Sequence, residues 1–423
     1  MKIKKPKVFV ALSGGVDSSV AALLLKNQGY DVVGVFMRCF NVDGCAERDA
    51  EDARRVAGDI GIPFYAWDFE EEYKKRVVEY MVRGYKNGIT PNPDVMCNRE
   101  IKFGVFLKKA LAMGANYVAT GHYVRLKRES LIPSRRSRAF GASDSFSKRN
   151  FGSGLLEQKN VLSRNPAAGE LGPRWNVGVA VARTSGGRRW SGRSGLRKEY
   201  FSLHAAKDKG KDQSYFLWTL TRNQLRYCLF PIGDYKKTEV RAIARGAGLP
   251  TADKKDSQGI CFLGKVTLAD FLRRYIPEKH GEVFTVAGKK VGEHSGVYFY
   301  TIGQRHGLGI SAPRPYYITD KNVRDNEIIV AEGKDHDALY KQEVVLQDLN
   351  FISETFQKKI SRSDISVLAR VRYRQPLTEA LMSRVDRNAY KLAFRAPQKF
   401  VAPGQSAVFY AKNGEMLGGG VII

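Results

Sequence analysis

The chain has 423 residues, 43% of them hydrophobic, enough for two or three cores rather than one. Lys and Arg outnumber Asp and Glu by 70 to 43, a formal charge of +27 that favours a polyanionic partner, and no apolar run approaches the roughly 20 residues that span a bilayer. Cys39, Cys45, Cys97, Cys228 and Cys261 are too scattered for a disulfide framework or a CxxC zinc site, and the N-terminal apolar run is too short for a signal peptide. A soluble, cytoplasmic protein whose important cysteines are reactive is therefore expected.

In chain order, KVFVAL predicts a buried strand, and a turn of small residues leads into a helix over 18–28 that Gly29 stops. DVVGVFM predicts a second strand, 46–60 a helix, IPFYAWDF a third strand, 70–86 and 98–113 two more helices, and NYVAT a fourth strand. Such alternation predicts a parallel α/β sheet. Residues 129–198 break the pattern. They are rich in Ser, Gly and Arg, keep no period, and carry +10 of the total charge. They read as a low-complexity insertion, either a solvated excursion or an arm that grips nucleic acid. From Gly281 onward, short glycine-punctuated runs such as GEVFTVAGKKVG, EIIVAEG, ISVLARVRYRQ and AYKLAFRAP predict a small β module followed by a β-barrel. The expected divisions are 1–266, interrupted at about 129–198, then 267–336 and 337–423.

ALSGGVDSSVAA, beginning at Ala11, joins the first strand to the first helix in the manner of a phosphate loop but lacks the lysine that a P-loop requires. The backbone of Gly14 and Gly15, the hydroxyls of Ser13, Ser18 and Ser19 and the amino end of the helix suit a pyrophosphate, with Asp17 holding either a magnesium ion or the loop itself. In GITPNPDVMCNREIKF, Pro91 and Pro93 stiffen a loop that sets Cys97 just before the helix expected from Asn98, a placement that favours thiolate. DSQGICFLG places Cys261 after a turn at Gly259. Cys39 and Cys45 read as ordinary cysteines, and His122 as a polar residue of the TGHY turn rather than a base.

SGGVDS resembles the PP-loop of the ATP pyrophosphatases. Together with TPNPDVMCN, ATGHY, KDQSYFL, GICFLG, GEHSGVYFYTIGQRHGLGI and VRYRQ, in that order, the chain resembles the tRNA-specific 2-thiouridylases everywhere except 129–198. The resemblance implies ATP, with Mg2+, at Ala11, Leu12, Ser13, Gly14, Gly15, Val16, Asp17, Ser18, Met37 and Gly121. It implies the target base at Asn92, Pro93 and Asp94, and tRNA contacts at Lys211, Asp212 and Gln213 and at Arg372 and Tyr373 on a barrel strand. Cys97 would be the nucleophile, Cys261 the persulfide carrier, and the two would form a transient disulfide, with Asp94 as a candidate acid/base. The implied reaction adenylates the C2 oxygen of the wobble uridine and replaces it with sulfur. The implied partners are tRNAs for Glu, Gln and Lys and a sulfur donor protein. An iron-sulfur cluster on Cys97, Cys261 and Asp94 is the alternative to thiolates alone, which are the simpler case. A PP-loop amide ligase or synthetase, needing the loop but neither cysteine, is the alternative function.

Overall fold

A computed structural model describes residues 5–40, 42, 44, 46–131, 198–256, 263, 264 and 266–423. Cys45, Cys261 and nearly all of the basic insertion lie outside the described residues. Contacts separate 130–199 from the rest of the chain, and the account below concerns the rest.

Strand β1 (Lys7–Ala11) is apolar from Val8 onward because both of its faces are covered there. Val8 and Val10 enter one core with Val20, Val56 and Ala57, while Phe9 and Ala11 enter another with Trp67, Met81 and Phe106. The elements that follow are α1 (Val16–Asn27), β2 (Asp31–Arg38), α2 (Ala46–Ile60) and β3 (Phe64–Asp68). Helix α3 (Glu70–Tyr73) runs through a π-helical turn into α4 (Glu79–Lys86), and α5 (Pro93–Cys97) runs through π-helical Asn98–Phe106 into α6 (Leu107–Ala112). Then come β4 (Tyr117–Ala119), β5 (Val124–Leu131), β6 (Lys198–Ala205), α7 (Arg222–Leu225), β7 (Cys228–Leu229), α8 (Lys237–Gly246) and α9 (Leu268–Arg273).

The sheet is parallel, in the order β3-β2-β1-β4-β7. The chain steps outward from β1 to β3 and then returns to place β4 on the other side of β1. The strand order therefore reverses between β1 and β4, which opens a crevice at their carboxyl ends. Strands β5 and β6 pair as a two-stranded sheet, so the inserted segment leaves and rejoins along one ladder.

A four-stranded sheet follows, built from β8 (Gly281–Thr285), β9 (Lys290–His294), β10 (Tyr316–Asn322) and β11 (Glu327–Glu332), with β8 and β11 parallel. Strands β12 (Tyr340–Phe351), β13 (Ile365–Arg370), β14 (Thr378–Arg384), β15 (Tyr390–Lys399), β16 (Ser406–Tyr410) and β17 (Met416–Ile422) close a barrel that also carries α10 (Glu354–Ile360). Leu346, Val367, Leu392, Phe394 and Phe409 contribute to the barrel core. The fold class matches the expectation. The barrel is joined to the α/β domain by buried polar bonds: Arg370 pairs with Asp212 and donates to the Tyr410 hydroxyl at 2.8 Å, and Tyr215 donates to Ser406 O at 2.9 Å. Among the described residues no helix is long and apolar enough to cross a membrane.

Candidate active site at the reversal point of the parallel sheet

The loop after β1 is shaped by positions that cannot carry a side chain. Gly14 has φ +69°, and a Cβ there would stand 2.3 Å from Asp49 O. Across the crevice, a Cβ on Gly121 would stand 2.6 Å from Ser18 N. Serines tie the loop to its helix. Ser18 Oγ accepts from Ser13 N at 3.1 Å and donates to Gly15 O at 3.0 Å, while Ser19 Oγ donates to Gly15 O at 2.9 Å. No side chain caps α1 at Gly15, so the amino end of the helix opens onto the crevice. Ala11 and Leu12 are buried beneath the loop, Val16 and Ser18 in the first turn above it, and Met37 lies one residue before the end of β2, opposite Trp67.

Asp17 is bound on both oxygens. Lys237 Nζ donates to Oδ1 and Oδ2 at 2.8 Å each, and the Tyr123 hydroxyl donates to Oδ1 at 2.8 Å. The same ammonium lies 2.8 Å from Asp256, which also pairs with Lys211 at 2.7 Å and Arg241 at 3.0 Å. Partial burial raises the Asp256 carboxyl, but the bonds from Lys211 and Lys237 outweigh it and hold the group at about 2. Burial and the neighbouring Asp17 push the Tyr123 phenol far up, so it remains a donor. Lys254 bridges Asp49 at 2.7 Å and Asp52 at 2.6 Å, fixing the 251–256 strip to α2. Lys237, Tyr123, Asp256 and Lys254 were absent from the residues singled out in sequence. Lys237 and Asp17 are 220 positions apart, and one sequence carries no signal of such a pairing.

Asp17, expected to hold a magnesium ion or the loop, is paired with Lys237 and Tyr123, and an ammonium against both of its oxygens repels a dication at that carboxylate. Among the described residues no group of three or more His, Cys, Asp or Glu is arranged to hold a metal.

The Thr90–Asn98 stretch departs from expectation in one respect. Its helix begins at Pro93, not Asn98, because Asn92 caps it by accepting from Val95 N at 3.2 Å and Pro93 fits the first turn. Cys97 therefore lies past the first turn of a continuous helix, beyond the amino-end field expected to favour thiolate. Burial instead pushes the thiol up, and the Asp94 carboxylate adds to the rise, against Lys102 and a hydrogen bond with Tyr73. Asn98 is buried beside it, donating to Asp94 O at 3.0 Å while its Oδ1 has no hydrogen-bond partner among the described residues. The barrel braces this loop from behind: Thr90 N donates to Pro403 O at 2.8 Å and Gln405 Nε2 to Thr90 O at 2.9 Å. His122 bonds Thr120 at 2.8 Å, and burial pushes its pKa well below the usual value, so it is a neutral turn residue as expected. Cys261, and with it the proposed disulfide and the cluster alternative, lies outside the described residues.

Of the KDQ residues, Lys211 is partly exposed beside Asp256, and Gln213 pairs with Tyr123 through its backbone and side chain. Asp212 is 5% exposed, and its carboxylate accepts from Ala206 N, Ser214 and Arg370. It serves the barrel junction and offers no free surface to tRNA. Arg372 and Tyr373 are not on a barrel strand: β13 ends at Arg370, and the pair sits in the following turn, where Arg374 has φ +65°. Tyr373 packs 4.4 Å from the Phe216 ring, and Arg372 lies 5.9 Å from that of Phe400.

Three family patterns cover the chain. One described as tRNA methyl transferase HUP domain matches residues 6–144 and 189–265, a tRNA methyl transferase PRC-barrel domain matches 269–332, and an aminomethyltransferase beta-barrel domain matches 341–422. The tRNA-specific 2-thiouridylase MnmA of Staphylococcus epidermidis is 40% identical across 100% of this chain and 96% of its own, and that of Staphylococcus aureus is 39% identical with the same coverage. The chain belongs to the tRNA-specific 2-thiouridylase family. Among solved structures, an NMN synthetase from Francisella tularensis matches 27% of this chain and 44% of its own at 18% identity with a TM-score of 0.20.

Proposed function

We propose that this protein is a tRNA-uridine 2-sulfurtransferase that uses ATP to activate the C2 oxygen of the wobble uridine. The observation that carries the reading is the SGGVDS loop at the reversal point, where Gly14 and Gly121 leave no room for side chains and the α1 amino end faces the crevice.

The uracil O2 attacks the α-phosphorus of ATP, pyrophosphate leaves, and an O-adenylyl uridine results. Asn92, Pro93 and Asp94 receive the base, which an anticodon loop already presents unpaired. A persulfide on Cys261, charged by a sulfur donor protein, attacks C2 with its outer sulfur, and AMP departs with the former O2. Cys97 then attacks the inner sulfur of Cys261. This forms a Cys97–Cys261 disulfide, releases the 2-thiouridine, and leaves an external thiol to supply two electrons before the next turnover. Asp94, three residues before Cys97, is the candidate acceptor of the Cys97 proton. Lys211, Arg372, Tyr373 and the +27 charge hold the tRNA, with Tyr373 offering a stacking face.

The test supplies ATP, unmodified tRNA, a persulfide sulfur donor and an external thiol, and measures products. AMP and pyrophosphate in step with thiolation are expected, whereas ADP and phosphate contradict the assignment. Full turnover by Cys261→Ser would favour the amide-ligase alternative.

A further inference from the structure

The nucleotide loop contains no lysine, yet an ammonium from a distant helix stands against it. We propose that Lys237 is the phosphate-binding cation of this loop, exchanging Asp256 for a phosphate oxygen when ATP binds. The inference rests on the reading of the crevice as an ATP site.

Lys237 is the first residue of α8, and its side chain is 11% exposed. Its three ammonium protons meet three carboxylate oxygens, Asp17 Oδ1 and Oδ2 and Asp256 Oδ1, each at 2.8 Å. The two acids do not depend on it equally. Were Lys237 to turn away, Asp256 would keep Lys211 at 2.7 Å and Arg241 at 3.0 Å, whereas Asp17 would keep only the Tyr123 hydroxyl among the described residues. Asp256 is therefore the partner that can be released without stranding a charge.

The charges of the cluster require Lys237 to stay beside Asp17. Asp17 and Asp256 face Lys237, Lys211 and Arg241, and a third carboxylate, Asp208, accepts from Lys237 N at 2.9 Å, so charge beside the first turn of α1 is balanced only with the ammonium in place. An unpaired Asp17 at that turn would repel a polyphosphate, and Lys237 cancels the repulsion. The side chains of Asp17 and Asp256 are 32% and 30% exposed and that of Lys237 only 11%, so release of the Asp256 carboxylate is what uncovers the ammonium to an arriving phosphate. A compact ammonium with three rotatable donors suits a change of acceptor better than a planar guanidinium would.

Calorimetric titration of the full chain with ATP, in the absence of tRNA, tests this in wild type, Lys237→Met, Asp17→Asn, the double variant and Asp256→Asn, with a melting curve for each. Lys237→Met should weaken ATP binding about tenfold to a hundredfold, the size of one lost bond to a charged group. The double variant leaves neither the lysine nor a bare Asp17 carboxylate. It should melt close to Asp17→Asn while binding ATP about tenfold more weakly than that variant. Equal ATP affinity in those two would overturn the inference, since Lys237 would then serve only to pair Asp17. Asp256→Asn should tighten ATP binding, because phosphate no longer displaces a carboxylate, and weaker binding would overturn the exchange. A wild type that binds no ATP would overturn the function proposed above and this inference with it. Failure confined to the variants overturns the inference alone.

Discussion

Cys97 sets the chemistry of one residue against the packing around it. It lies in the same core as Tyr73, Val77, Tyr215 and Leu217, and burial there raises its thiol value. A raised value means that the thiolate fraction at neutral pH is small and grows as pH rises through that value. Alkylation of Cys97 by iodoacetamide in the free protein is therefore expected to show a midpoint above the ordinary thiol value of about 8.5. A midpoint at or below it would contradict the burial argument. Cys97 is legible in sequence as a cysteine beside a proline-stiffened loop. Its ionisation is not, because the sequence pattern points to a helix start at Asn98, whereas Asn92 caps a helix that begins at Pro93. Lys237 was illegible for another reason: its function depends on a partner 220 positions away.

At the scale of elements, the parallel strands and the helices over 46–60 and 70–86 were plain from periodicity, since the doubly covered strands are continuous apolar runs and the helices are amphipathic. The turn after β13 was not. VRYRQ continues the look of a strand, yet Arg374 adopts φ +65° and breaks the ladder, which leaves Arg372 and Tyr373 in the turn. The barrel junction was equally hidden. KDQS reads as a polar surface stretch, but Asp212 is buried against Arg370, Ser214 and Tyr410. Asp212→Ala leaves the buried Arg370 unpaired and should cost about 3–5 kcal/mol. Urea unfolding followed by Trp218 fluorescence reads this, because Trp218 bonds Ser406 at the same junction. A loss below about 1 kcal/mol, the worth of a surface pair, would mean that the junction does not depend on this bridge.

The whole molecule combines a nucleotide crevice, a loop bearing Cys97 that the barrel braces, and a charge of +27. Residues 129–198 supply +10 of that charge, and the family pattern leaves out only 145–188 within them. Since β5 and β6 pair, the segment spans two adjacent strands, and loop entropy changes slowly with its length. Replacement of 132–197 by a short Gly/Ser turn should keep ATP-dependent thiolation, weaken nonspecific tRNA binding and flatten its dependence on salt. Lost thiolation in a folded, ATP-binding variant would instead make the segment part of the tRNA site.

Placement of sulfur on the uridine of tRNA through two cysteines is tested by nucleoside analysis of tRNA from cells lacking the protein, and from the same cells supplied with wild type, Cys97→Ser or Cys261→Ser. 2-Thiouridine should disappear with the protein and return with wild type alone. 2-Thiouridine that persists without the protein, or returns in full with Cys261→Ser, would contradict it.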